Sequence, residues 1–209
     1  SPEASVQVPV GTVTVTPSVA SNASNNRYLR VNATTQFVPA GTVATVQVKA
    51  PGQSTFTDAG TATVAANGKI AFTTENAATQ IAFEGGQYAA RVVIPSLGSG
   101  LDAYTSPEGS VQAAAGSISV QTKSTVGSGT SRGLRVTGSA QGYPVGTTIT
   151  ATITDSSGKT SNAGTTTTGT GGYYQLTSVT GLMPTLGDYT FTLSAGSGST
   201  AKSITDTVT

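Results

Sequence analysis

The side chains in this sequence that could do acid–base or metal chemistry are nine carboxylates, because the chain contains no His and no Cys. A hydrolytic site of the glycosidase kind needs two carboxylates that face each other. The nine are Glu3, Asp58, Glu75, Glu84, Asp102, Glu108, Asp155, Asp188 and Asp206. No two of them form a close pair in the sequence, and most fall in predicted turns. We therefore predict that the chain is not an enzyme and that it has neither a catalytic residue nor a cofactor.

Calcium is the metal that such carboxylates could bind, because it accepts Asp side chains and backbone carbonyls in loops. The best fragment is Asp155-Ser156-Ser157-Gly158, and Asp102 with Glu108 is a second candidate. An ordinary hairpin turn and a polar linker explain the two fragments more simply. We predict no metal site, with calcium in these loops as the alternative.

Exposed aromatic residues offer another kind of chemistry, since Tyr can stack on sugars or anchor a protein interface. Tyr28, Arg30 and Tyr173 fall on the outward phase of their predicted strands, and Tyr104 lies near the middle of the chain. These four residues are the candidate interaction surface. The alternative is that they pack across strands on a solvated face of a sheet.

The composition of the chain excludes some classes of binding partner. Only 9% of residues are charged and the net charge is +1 with no basic stripe, which argues against nucleic acid. No apolar run approaches the ~18 residues that a membrane-spanning helix needs, so we predict no membrane insertion. The absence of Cys excludes disulfides and fits an extracellular protein of a bacterial cell surface, or alternatively of a virion surface.

The sequence is an internal duplication. Gly11-Thr12-Val13-Thr14-Val15 recurs as Gly116-Ser117-Ile118-Ser119-Val120, and Gln36 to Thr42 recurs as Gln141 to Thr147, both 105 residues further along. Later matches shift by a few residues, so insertions fall in loops while apolar positions stay in phase. The predicted organisation is a first module at 11–112, a linker at 113–115 and a second module at 116–209.

Residues 1–10 add part of a further copy. Ser1-Pro2-Glu3-Ala4-Ser5-Val6-Gln7 matches Ser106-Pro107-Glu108-Gly109-Ser110-Val111-Gln112, which closes the first module. Residues 1–10 are therefore predicted to be a short strand. It is either the remnant of a preceding repeat, or a strand that pairs with its own first module or with a neighbouring chain.

Within each module, short runs alternate between apolar and polar residues with period two, which predicts strands that are buried on one face. Inward positions in the first module are Leu29, Val31, Ala33, Ala44, Val46, Val48, Ile70, Phe72, Tyr88, Ala90, Val92 and Ile94. Their counterparts in the second are Leu134, Val136, Ile149, Ala151, Ile153, Tyr174, Leu176, Tyr189, Phe191 and Leu193. Only Asn76–Gln80 could form a helical turn.

Turn residues separate these runs. Pro39-Ala40-Gly41 and Pro144-Val145-Gly146 fit type I turns with Pro at the first central position. Asn67-Gly68 and Asp155 to Gly158 are typical of hairpins. Tyr88 and Tyr189 lie where a tyrosine corner would send the hydroxyl back to the backbone. The predicted fold is all-β: two tandem Ig-like antiparallel β-sandwiches of about seven strands each, preceded by a short N-terminal strand.

The second module resembles the bacterial Ig-like repeats of secreted and cell-surface proteins. The resemblance is carried by Val136-Thr137-Gly138, Gly142 to Ile149, Asp155 to Gly158, Gly172-Tyr173-Tyr174 and Gly187-Asp188-Tyr189. It covers about residues 116–209, and residues 11–112 match more loosely through the duplication. The resemblance implies spacers, surface-layer components, filaments, adhesin stalks or virion decoration proteins.

We therefore expect a structural spacer or assembly element that contacts itself or a neighbouring surface or coat protein. The alternative is an adhesive module that binds a glycan or a host protein through its loops and exposed Tyr residues.

Overall fold

The computed structural model describes residues 11–75, 85–98, 102–196 and 201–209. The described residues form fifteen β-strands and two three-residue 3-10 turns, Gly129–Ser131 and Thr170–Gly172. The predicted all-β fold built from antiparallel sheets is confirmed. The predicted strand at 1–10 and the helical turn at Asn76–Gln80 lie outside the described residues.

Contacts within the chain define two compact units. The first covers most of residues 11–113, and the second covers Ala114–Thr209 and also includes Ser21–Arg27. Each unit consists of two sheets, and each has its own core.

The first unit contains eight strands. They are β1 (Thr12–Ser21), β2 (Arg27–Gln36), β3 (Val43–Lys49), β4 (Thr57–Thr63), β5 (Lys69–Thr73), β6 (Gly86–Ile94), β7 (Tyr104–Thr105) and β8 (Gly109–Ala113). One sheet has the order β1-β2-β5. In the other, β4, β3 and β6 are neighbours in that order, and β7 and β8 both pair with β6.

The second unit contains seven strands. They are β9 (Ser117–Val126), β10 (Gly133–Gln141), β11 (Thr148–Thr154), β12 (Thr160–Thr167), β13 (Tyr173–Thr177), β14 (Tyr189–Ala195) and β15 (Lys202–Val208). A three-stranded sheet with the order β13-β10-β9 packs on a four-stranded sheet with the order β12-β11-β14-β15. This arrangement is a β-sandwich.

An apolar layer between the two sheets holds each unit together. The inward residues predicted from the period-two pattern are buried, apart from Phe72, which is half-buried and packs against the core of the first unit. Complete burial of a Val, Leu, Ile or Phe side chain contributes about 1.5–3 kcal/mol. Because the chain has no Cys, this burial takes the place that disulfides have in many small secreted domains.

The two cores are packed differently at one matched position. Ala33 lies opposite Ile70 across β2 and β5, whereas Gly138 lies opposite Tyr174 across β10 and β13. The Tyr174 hydroxyl donates a hydrogen bond to the Ser119 carbonyl at 2.9 Å, so the ring passes directly over Gly138. Burial raises the pKa of Tyr174 to about 12, so this hydroxyl stays a donor well into the alkaline range. The larger residue on one strand therefore depends on the smaller residue on the other.

A buried hydroxyl satisfies the backbone at the start of β2 and at the start of β10. Thr74 Oγ1 accepts a hydrogen bond from Leu29 N–H at 2.9 Å, and Ser178 Oγ accepts one from Leu134 N–H at 2.7 Å. Both hydroxyls follow the last residue of the strand that pairs with β2 or β10. They meet the requirement that buried N–H groups have acceptors.

The tyrosine corner predicted at Tyr189 is confirmed. Tyr189 is buried, and its hydroxyl donates to the Thr185 carbonyl at 3.3 Å and contacts Thr185 Oγ1 at 2.9 Å. This pairing fixes the loop before β14, the penultimate strand.

The last strand of the first unit is interrupted at Ser106-Pro107-Glu108. Pro107 has no N–H to donate, and the chain leaves the ladder between β7 and β8. The Ser106 hydroxyl accepts from Val92 N–H at 2.9 Å and Ser106 N–H donates to the Val92 carbonyl at 2.9 Å. Ser106 thus replaces the missing pairing.

The type I turns predicted at Pro39 and Pro144 are wrong. Hydrogen bonds from Thr42 N–H to the Pro39 carbonyl and from Thr147 N–H to the Pro144 carbonyl make proline the first residue of each turn rather than the first central one. Gly41 and Gly146 then occupy the second central position with φ of +86° and +88°. Type II turns need a positive φ there, which favours glycine.

The hairpin prediction is correct at Asp155–Gly158 and wrong at Asn67-Gly68. β11 and β12 on either side of Asp155–Gly158 pair with each other. By contrast, β4 pairs with β3 and β5 pairs with β2, so the Asn67-Gly68 turn carries the chain from one sheet to the other. Turn residues set only the local backbone, so they do not decide which sheet the next strand joins.

The matched Ala33–Ile70 and Gly138–Tyr174 pairs generate a packing prediction. A Cβ at Gly138 would lie 2.7 Å from Cζ of Tyr174 and would also meet the Ser119 carbonyl. We expect Gly138→Ala to destabilise the second unit by about 2 kcal/mol or more, because overpacked cores cost energy of that order. Tyr174→Ile in the same chain should recover part of the loss, since the Ser119 carbonyl remains in contact.

Urea denaturation of the full chain measures these changes, with Ala33→Gly as the matched control. The control should cost only about 1 kcal/mol, the usual penalty of glycine within a strand. A Gly138→Ala chain as stable as the wild type would contradict this description of the core.

Candidate interaction surface

The structure places the four residues predicted as an interaction surface in different environments. Tyr173 is 46% exposed at the start of β13, and Arg30 is exposed on β2. Tyr104 on β7 is half-buried and packs against the core of the first unit. Tyr28 is only 8% exposed, so the expectation that its side chain faces solvent is wrong. Alternation assigns a residue to one face of a sheet, but whether that face is covered depends on segments distant in sequence.

Arg30 and Tyr104 do not share a face of the first unit. Arg30 lies on the sheet that contains β1, β2 and β5, whereas Tyr104 lies on the opposite sheet of the same unit. Tyr173 belongs to the second unit.

A network on the outer face of the larger sheet of the first unit was not predicted. Arg91 and Lys49 lie over the Phe56 ring, 4.2 and 4.8 Å from its centroid. Arg91 Nε donates to Gln47 Oε1 at 2.7 Å, and Lys49 Nζ donates to Glu108 Oε2 at 2.9 Å. The cations are thus satisfied by groups of the same unit, so the network ties neighbouring strands together. Phe56, an aromatic residue in a polar loop, is the one sequence signal that could have indicated it.

The two candidate calcium fragments have other partners. Glu108 is paired with Lys49. Asp155 Oδ1 accepts hydrogen bonds from the Ser157 hydroxyl, Ser157 N–H and Lys159 N–H, at 2.6 to 3.0 Å. The Ser157 hydroxyl, followed by Lys159 N–H, holds the pKa of Asp155 below its ordinary value. Within the described ranges, no three acidic side chains lie close enough to hold a metal ion together.

Two clefts are small for a ligand site. One of about 250 Å³ in the first unit is lined by Lys49, Pro51, Gln87, Glu108 and Ser110, among others. The other, of about 110 Å³, lies between Asp155, Lys159 and Pro184 in the second unit. Typical small-molecule sites are mostly apolar and measure about 300–1,000 Å³. Both clefts fall below that range.

Exposed apolar side chains are instead found at the ends of the sandwiches. The large apolar residues that stay exposed in the described part of the chain are Phe37, Val43, Val145, Tyr173, Val179 and Leu186. Each lies in a loop or is the first residue of a strand. The solvated faces carry hydroxyl pairs between neighbouring strands, for example Thr122 with Thr137 at 2.6 Å.

Phe37 is the most unusual of these residues. Its side chain is 65% exposed, and its backbone has φ of +61°, in the left-handed region that disfavours a bulky side chain. The duplication places Gly142 at the same point of the second unit, with φ of +78°. The turn therefore requires a left-handed residue, and the first unit has Phe where Gly is free of strain. Strained residues of this kind concentrate at functional positions.

No protein-family profile matches the chain, and no curated protein matches it. A crystal structure of a tetra-tandem repeat in the extending region of a large adhesion protein matches over 95% of this chain, with 19% identity and a TM-score of 0.42. The match covers 48% of that crystallised chain, so the present chain spans about half of the crystallised repeat segment. In the described part of the chain, no helix has the length and apolarity needed to cross a membrane.

The backbone of Phe37 generates a stability prediction. Phe37→Gly should stabilise the first unit by about 1 kcal/mol. The left-handed conformation costs an L-residue about 1–2 kcal/mol, and relief of that cost is partly offset because glycine loses more conformational entropy on folding. Phe37→Ala is the matched control, since it removes the ring but keeps the strain, and it should leave stability nearly unchanged. Calorimetric thermal unfolding measures both variants. Equal melting temperatures for Phe37→Gly and Phe37→Ala would contradict the strain assignment.

Proposed function

We propose that the chain is a non-catalytic segment of Ig-like repeats that acts as a spacer or assembly element of a surface-exposed structure. Surface layers, filaments, adhesin stalks and virion coats are structures of this kind. The observation that carries the proposal is the position of the exposed apolar side chains, which lie in loops or at strand starts rather than along the sheet faces. A protein that presents apolar groups at its sandwich ends is suited to contacts made end to end.

The remaining surface supports the same function. The sheet faces carry Thr and Ser pairs, and the cations near Phe56 are engaged within their own unit. Four carboxylates have partners that make them poor catalysts: Asp155 in its own turn, Glu108 with Lys49, Asp206 with Lys123, and Asp188 with the Thr209 hydroxyl. From these pairings we infer that the four carboxylates have no catalytic role.

The organisation and location belong to the same proposal. Modules at 11–112 and 116–209, joined by residues 113–115, would add length by repetition, since each has its own core. An extracellular position on a bacterial cell surface, or alternatively on a virion, fits a chain without Cys whose faces are polar but carry few charges.

One observation favours the alternative of an adhesive module. Tyr173 is exposed beside the Thr170–Gly172 turn, in the manner of a residue that stacks on a sugar. Its neighbour Tyr174 is buried, so the strand holds Tyr173 outward. In this alternative, Tyr173 and the neighbouring loops would contact the glycan or host protein.

A binding screen separates the two functions. We expect the full chain to bind no member of a glycan array, and we expect Tyr173→Ser to leave that result unchanged, because one exposed ring offers little contact area. Saturable binding to a glycan that is lost in Tyr173→Ser, with unchanged thermal stability, would replace the spacer proposal by the adhesive one.

A further inference from the structure

The second unit contains a backbone contact whose counterpart residues can be located in the other repeat by aligning the two repeats. Within this unit, Val145 N–H donates to the Ser24 carbonyl at 2.9 Å, and Asn25 Nδ2 donates to the Tyr143 carbonyl at 2.7 Å. Tyr143 is fully buried. The segment Ser21–Arg27, which joins β1 to β2, therefore covers the turn that joins β10 to β11.

The first unit has the same turn, but the residues of this turn are more exposed than their counterparts in the second unit. Phe37, Val38 and Ala40 are the counterparts of Gly142, Tyr143 and Val145. Phe37 and Ala40 are exposed, and Val38 is only half-buried. The surface formed by Phe37, Val38 and Ala40, here called the Phe37 surface, thus has the shape of a covered turn but presents an apolar ring to solvent.

The duplication also names the segment that would cover this surface. The counterpart of Asn22–Arg27 is the loop between β9 and β10, residues 127–132, in which Gly129 corresponds to Ser24 and Thr130 to Asn25. Its carbonyl at Gly129 can accept a hydrogen bond from Ala40 N–H, and the Thr130 hydroxyl can donate to the Val38 carbonyl. Residues 127–131 are exposed.

An apolar side chain lies next to this loop in the second unit. Val179 is 63% exposed, and its carbonyl is 2.9 Å from the position of a Cβ on Gly133, just beyond the loop. Gly181 N–H donates to the Arg132 carbonyl, which holds the β13–β14 loop against residues 127–132. Val179 is therefore an exposed apolar side chain beside this loop. The loop 127–132 and Val179 are here called the loop surface.

We propose that the chain self-associates head to tail, with the Phe37 surface of one copy bound to the loop surface of a second copy. The pairing repeats the contact between Ser24–Asn25 and Tyr143–Val145 that the second unit already contains. The inference rests on the proposed assembly function and names its partner as a second copy of this chain. The two surfaces are different, so the contact is heterologous and extends into chains of copies.

Sedimentation velocity of the full chain over a wide concentration range tests this inference. The weight-average mass of the wild type should rise with concentration. Phe37→Gly removes the ring while placing the second repeat's own residue in the turn, and Val179→Glu puts a charge at the other surface. Each should weaken self-association by about tenfold or more, the effect expected of a central interface residue. Val145→Ala, which copies the first repeat at the turn that Ser24 and Asn25 contact, is the control and should associate like the wild type.

Mixing the two variants identifies the geometry. Phe37→Gly keeps an intact loop surface and Val179→Glu keeps an intact Phe37 surface, so an equimolar mixture should form a one-to-one complex and stop there. A wild type that stays monomeric throughout overturns the inference, as does wild-type association by both variants. Association lost only in Phe37→Gly indicates a symmetric contact and overturns it too. These outcomes test self-association and leave the spacer proposal standing. The spacer proposal is contradicted by a different result, specific binding to a glycan.

Discussion

Burial of small apolar side chains between two antiparallel sheets is the interaction on which each unit depends. With no disulfide and two ion pairs among the described residues, little else links one sheet to the other. Exposed ion pairs contribute about 0–1 kcal/mol each, so they do not replace the apolar layer. The matched pairs Ala33–Ile70 and Gly138–Tyr174 indicate that each core reached close packing separately after the duplication.

The period-two pattern was sufficient to predict which residues form the cores, because alternation follows directly from strand geometry. The pattern failed at Tyr28, which is buried although it lies on the outward phase. The turn residues misled at Asn67-Gly68, where a tight turn leads to the other sheet. Both failures concern long-range placement, which local residue types do not encode. Aligning the repeats sets Phe37 against Gly142, so the sequence alone could have indicated that Phe37 is unusual. Its backbone strain became evident only from the backbone angle φ.

The need to bury apolar side chains between the sheets also bears on the proposed function. Once the strands have used their apolar residues for the core, the faces are left with Thr and Ser, which satisfy one another across strands. Loops and strand starts are where apolar groups remain exposed in the described residues. Repetition of such a unit adds length without new chemistry, and contacts between copies then fall to the loops at the ends. Phe37, retained at a cost in backbone strain, is consistent with such a contact.

We propose that the chain contains two cores that unfold independently of each other. Stretching single molecules of the full chain between reference domains tests it directly. The account predicts two unfolding events, each releasing on the order of 300 Å of chain at ~3.6 Å per residue less the folded length. A single event releasing the whole length, or a chain that extends without resistance, would contradict it.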